Sequence, residues 1–190
     1  MRWLTTACGL GTLLFAACTG LTHGEAPWTR VLADTRPGAA LRLTLDGERV
    51  VVAAAPIDTI ALPAAARAAV AALPGRTTFL AREWDHGGDG FRRETLDDAG
   101  TAHGLLVAAD GTLRERWRSA PLRDVPVDVL AATAGHEPMV DTAHAVDRPG
   151  EAPCWRLFAR DRQGRAFVVS VSTSGERRGR WRRVDAAIDL

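Results

Sequence analysis

A stretch of sequence that occurs twice constrains this chain more than any other feature it has. Residues 91–117 align with 155–181 at a shift of 64 without a gap, and nine of the 27 positions are identical. The identities pair Arg92 with Arg156, Asp97 with Asp161, Gly100 with Gly164, Ala102 with Ala166 and Val107 with Val171. They also pair Gly111 with Gly175, Arg114 with Arg178, Arg116 with Arg180 and Trp117 with Trp181. The paired glycines stand where a chain of alternating apolar and polar residues must reverse, so the match has a conformational cause rather than a compositional one. It reads as an internal duplication.

The duplication extends upstream. Leu62-Pro63 opens and Pro74-Gly75 closes an alanine-rich segment, as in a helix with proline in its first turn and a proline–glycine stop. Its counterpart is 124–135, where Pro126 follows Pro63 by 63 residues and β-branched residues are frequent. Four strand-like runs come after each helix: 77–84, 90–96, 101–109 and 112–118, then 139–146, 153–160, 165–173 and 176–184. Ahead of both, Leu41, Leu43 and Leu45 alternate with polar residues up to Asp46-Gly47, which predicts a β-hairpin. The expected fold class is α+β: two tandem repeats of helix plus four-stranded antiparallel meander, able to join as one continuous curved sheet, with an N-terminal hairpin. In the last hairpin of each half, a three-residue loop ending in a bulged glycine would put Val107 with Leu113 and His103 with Trp117. The same register puts Phe167 with Trp181 and collects apolar side chains on one face, so it is preferred over a two-residue turn.

The N-terminus reads as an export signal. Arg2 precedes an uncharged run over 7–17, too short to span a membrane but suited to a secretory signal. Leu14-Phe15-Ala16-Ala17-Cys18 resembles a bacterial lipobox, which makes Cys18 the expected lipidation site. An ordinary secreted protein and an uncleaved anchor are the alternatives. The expected organisation is a signal peptide over 1–17, a lipid-anchored linker over 18–39, the hairpin over 40–58, and repeats over 59–120 and 121–190. The expected location is the bacterial cell envelope, facing the periplasm or the exterior. With Cys8 removed and Cys18 acylated, Cys154 would have no disulfide partner; without the lipid, a Cys18–Cys154 bridge becomes available.

Composition narrows the function. All 24 basic residues are Arg, Lys and Asn are absent, and 23 acidic residues balance the arginines. That is the usage of GC-rich coding and not a nucleic-acid footprint. Even the run Arg177-Arg178-Gly179-Arg180-Trp181-Arg182-Arg183 reads first as a solvated strand face, and no nucleic-acid partner is expected. The five histidines form no zinc spacing, and the Trp84–Asp89 loop lacks the calcium pattern, so neither metal nor cofactor is expected. No nucleophile elbow is present, and Cys154 reads as a small buried apolar residue. No catalytic residue is assigned.

A proline-started helix ending in proline–glycine, then strands with a Val-x-x-Asp-Gly-x-Leu hairpin, resembles the PepSY-like family. The residues that carry this are Leu62-Pro63, Leu73-Pro74-Gly75 and Val107 to Leu113, then Val125-Pro126 and Val171 to Gly175. Tandem copies also look like the beta-lactamase inhibitor protein fold, in which two α/β repeats form one curved sheet. The resemblance implies a non-catalytic extracytoplasmic module that contacts peptides or proteins and in some cases restrains peptidases. Trp and Arg are enriched at interfaces, so Trp84, Trp155, Arg92 and Arg156 are the candidate partner-binding residues, whereas Trp117 and Trp181 are assigned to the helix–sheet core. The rival readings are an envelope structural lipoprotein without a specific ligand and an unrecognised enzyme with a site between the repeats.

Overall fold

The computed structural model describes residues 27–32, 35, 38–136 and 138–187. Cys18 and the leader lie outside them. The strands are β1 (Ala40–Asp46), β2 (Arg49–Pro56), β3 (Arg76–Asp85), β4 (Gly88–Leu96), β5 (Ala102–Val107) and β6 (Leu113–Ala120). They continue as β7 (Met139–Asp147), β8 (Cys154–Arg160), β9 (Ala166–Ser172) and β10 (Arg177–Ala187). Helix α1 (Ala64–Ala71) lies between β2 and β3, and α2 (Val127–Ala131) between β6 and β7. Each helix is preceded by a proline, Pro63 or Pro126, and a short 3-10 turn.

The ten strands close into one antiparallel barrel in which every strand pairs with its neighbours in the chain. This overturns the α+β expectation of two helix-plus-meander repeats. The cause is the N-terminal hairpin. An eight-stranded sheet from β3 to β10 would expose two edges, each a row of unpaired amides and carbonyls. Strand β2 pairs with β3 from Ala53 to Pro56, and β1 pairs with β10 from Ala40 to Leu45, so the hairpin satisfies both edges at once. The PepSY-like and beta-lactamase-inhibitor-protein-like tandem repeat falls with it, because a curved sheet with free ends is replaced by a closed wall. The helices are minor, at eight and five residues.

Three apolar clusters lie outside the barrel wall. Leu62, Ala66 and Val70 around α1 cover Phe91 and Val107. Val125 and Val129 around α2 cover Ala143, Leu157, Val169 and Val171. Val31, in the 3-10 turn Pro27–Leu32, covers Leu41, Leu43, Ala53 and Ala55. Burying each of the larger aliphatic side chains contributes about 1.5–3 kcal/mol, which is how segments this short hold to the wall. The matched glycines serve that packing. Gly111 and Gly175 have φ of 85° and 86°, and a Cβ on either would stand 2.9 or 2.8 Å from a helix carbonyl, that of Ala65 or Asp128. Each hairpin tip thus tucks under the first turn of a helix.

The register of these hairpins differs from expectation. Val107 does pair with Leu113, but the ladder then shifts, so Gly104 faces Trp117 and His103 faces Arg118. In the second half Val168, not Phe167, faces Trp181. A bulge at the matched residues Arg114 and Arg178 adds one residue to the returning strand and changes the pairing beyond it. Trp117 and Trp181 consequently point into the barrel rather than into the helix–sheet core.

Candidate functional site

Alternation along the strands assigns one set of side chains to the helices and the other to the lumen. The lumen set is largely polar. Arg42, Glu83, Arg92, Glu94, Glu115, His144, Arg156 and Arg183 line a cavity of about 580 Å³ together with Trp117, Phe158, Val168 and Trp181. A ten-stranded wall is wider than the eight-stranded one whose interior side chains alone can fill, so room for a cavity is expected.

Glu115 on β6 is the centre of the charge network. Arg156 donates to both its oxygens, at 2.8 and 2.6 Å. Arg148 donates to its Oε2 from Nε and Nη2, at 3.1 and 2.9 Å, and Arg92 to its Oε1 at 3.4 Å. Arg92 also makes a two-pronged contact with Glu83, with Nη2 to Oε1 at 2.7 Å. The Glu115 side chain is only 5% exposed and that of Arg92 9%. Burial opposes ionisation of Glu115, but Arg156, Arg92 and Arg148 more than reverse that and hold its carboxyl well below the usual carboxylate range. Burial likewise disfavours charge on Arg92, and Glu83 and Glu115 restore it.

His144 on β7 stands beside this network without joining it. Its ring stacks on Trp117 with centroids 4.0 Å apart and leans on Phe158 at 4.7 Å. Its Nδ1 is buried without a hydrogen-bond partner among the described residues. Burial, with Arg156 and Arg92 acting in the same direction, pushes its pKa down to about 3, so the imidazole is neutral at pH 7.

At the hairpin-tip end, Arg114 pairs with Asp85 and donates to the Gly88 carbonyl at 3.1 Å. At the other end, Arg42 reaches across the lumen from β1 to Glu94 on β4 at 3.1 Å and lies 4.1 Å over the Phe79 ring.

The four candidate partner-binding residues separate by face. Arg92 and Arg156 meet in the lumen through Glu115. Trp84 packs on the outer cluster around Val31, and Trp155 on the outer cluster around Val129. Cys154 is buried against Trp117 and Val146 and makes no disulfide among the described residues. Among the described residues no group of His, Cys, Asp and Glu has the arrangement of a metal site. Sequence reasoning missed Glu115, Glu83, His144 and Arg148. The pair Glu115-x-Trp117 carried the signal, since an acid sharing a strand face with tryptophan is a buried acid in need of partners.

No family model matches the chain, and no curated protein matches it. Similar solved structures include a protein from Bacteroides eggerthii described as periplasmic, 13% identical, with a TM-score of 0.49 over 64% of this chain and 88% of that one. They also include a DUF2874 family protein from Bacteroides uniformis, 15% identical, with a TM-score of 0.48 over 63% of this chain and 88% of that one. A DUF2874 family protein from Bacteroides ovatus is 12% identical, with a TM-score of 0.47 over 64% of this chain and 87% of that one. With TM-scores below 0.5, these likenesses carry no argument about this chain.

Proposed function

We propose that the chain is an exported, lipid-tethered, non-catalytic binding module whose partner is a peptide, or a peptide segment of a protein, received in the barrel lumen. The observation that carries this reading is the cavity of about 580 Å³ lined by guanidiniums and aromatic rings. Its volume falls in the usual range for ligand pockets, roughly 300–1,000 Å³. A closed wall offers no free edge for an added strand, so a peptide would have to use the lumen or an outer groove instead. The non-catalytic reading draws on His144, whose Nδ1 has no hydrogen-bond partner among the described residues and whose ring is held neutral between Trp117 and Phe158. Export and tethering rest on the leader and Cys18.

Titration with a library of short peptides, followed by the fluorescence of the lumenal Trp117 and Trp181, tests the reading. Saturable binding with a sub-millimolar Kd is expected. No saturable change across the library, and no peptidase slowed by the chain, would favour a structural envelope lipoprotein. Mass spectrometry of the mature N-terminus is expected to show acylated Cys18; an unacylated terminus after Ala17 would remove the tether from the proposal.

A further inference from the structure

The lumenal charges are not paired equally closely along the barrel. In the central network, Arg92, Arg148 and Arg156 are answered by Glu83, Glu115 and Glu151. Near the open ends of β1 and β10 the pairing is looser. Arg42 and Arg183 project from the same face of adjacent strands, since Asp185 stands opposite Arg42, and Thr44 opposite Arg183. That makes the two guanidiniums diagonal neighbours, within reach of one another. Glu94 is engaged by Arg42. Arg183 pairs with Asp185 at 3.7 Å, a side chain 61% exposed, and shares the Glu94 charge with Arg42, while its Nε is buried without a hydrogen-bond partner among the described residues. Burial and then the Arg42 charge push the Arg183 pKa down, and Asp185 and Glu94 offset this only in part. Both side chains are still about one-third accessible, at 30% and 28%, so solvent and solutes reach them. The wall beside them is apolar: Phe158, 5.9 Å beneath the Arg183 guanidinium, with Val168, Ala54 and Trp181.

We infer that Arg42 and Arg183 form an oxyanion subsite for the terminal carboxylate of a peptide whose last side chain rests on Phe158 and Trp181. A planar guanidinium fork matches a carboxylate in two parallel hydrogen bonds. With Glu94 and Asp185 already facing the two arginines, the loosely paired Arg183 suits a single negative charge, which favours carboxylate over a doubly charged phosphate. The inference rests on the lumen being the binding site, and it names the chemistry that site selects.

The test uses three probes of similar size on the intact chain, by calorimetry and tryptophan fluorescence: N-acetyl-phenylalanine, its amide, and phenyl phosphate. The acid is expected to bind at least tenfold more tightly than the amide. Arg183→Gln is expected to remove that preference without weakening the amide, while Arg123→Gln, at a side chain 85% exposed, leaves both unchanged. Thermal melts establish that each variant folds. Should Arg183→Gln unfold, Arg183→Lys keeps the charge without the fork and is expected to lose most of the preference. Equal binding of acid and amide would overturn the subsite while leaving lumenal binding intact. Tighter binding of phenyl phosphate would overturn the carboxylate assignment. Failure of all three probes to bind would overturn the inference, and the peptide library then decides the wider reading separately.

Discussion

Replacing Glu115 by Gln would leave Arg92, Arg148 and Arg156 converging on a site without its counter-charge. Removing one partner of a buried ionic network costs about 3–5 kcal/mol, because the remaining charges stay desolvated. The urea midpoint of Glu115→Gln should fall accordingly with an unchanged slope. His144 gives a second prediction, in pH. Its folded pKa, about 3, lies below the ordinary 6.5, so between those values the unfolded chain binds a proton that the folded chain refuses. Stability is therefore intact above pH 6.5 and falls below it, by about 1.4 kcal/mol per pH unit from this residue alone. Glu115, also depressed, adds to the loss below its ordinary value of 4.5. His144→Phe, which keeps a ring against Trp117, should flatten the slope between pH 6.5 and 4.5; an unchanged slope would assign the effect elsewhere. At this scale the sequence was half legible. The 27-residue match at a shift of 64 pairs Arg92 with Arg156, and both reach the lumen. It could not single out Glu115, because the matched position is Gly179, where Trp181 fills the space instead.

Hairpins and helix starts were legible because they are written in proline and glycine. Pro63 and Pro126 precede α1 and α2, and Gly111 and Gly175 take the left-handed turn positions. Alanine at either glycine meets both a positive φ and a helix carbonyl under 3 Å away. Gly111→Ala and Gly175→Ala should each lower stability by more than about 1 kcal/mol. The two losses should be similar, since the local geometry is the same in both halves. A melt in which one variant matches the parent would show that the hairpin tip can leave its helix at no cost. What the elements did not disclose was register. The bulge at Arg114 and Arg178 uses ordinary residues, so alternation alone put His103 opposite Trp117 when Gly104 stands there. Gly104 is the informative residue in hindsight, because a Cβ at that position would collide with the Trp117 indole.

Closure of the barrel belongs to no single segment, and that is why it was missed. Nothing within the hairpin over 40–58 names its partners. Its role appears only when the eight later strands are seen to leave two edges, more than one hundred residues apart in sequence, that the same hairpin can occupy. A disulfide can test that joint directly. Leu45 on β1 and Arg182 on β10 are paired residues, so their Cα atoms fall within the span a disulfide bridges. In an open curved sheet with a free hairpin they would have no fixed relation. The double substitution Leu45→Cys with Arg182→Cys should therefore form its bridge under mild oxidation, with Cys154 shielded by burial, and peptide mapping without reductant would identify the linkage. The bridge closes a loop longer than one hundred residues. Chain entropy then assigns it up to about 4.7 kcal/mol, of which engineered bridges commonly deliver less. The oxidised form should melt higher than its own reduced form. A bridge that forms only between two molecules, or that lowers the melting temperature, would show that β1 and β10 do not meet as the closed barrel requires.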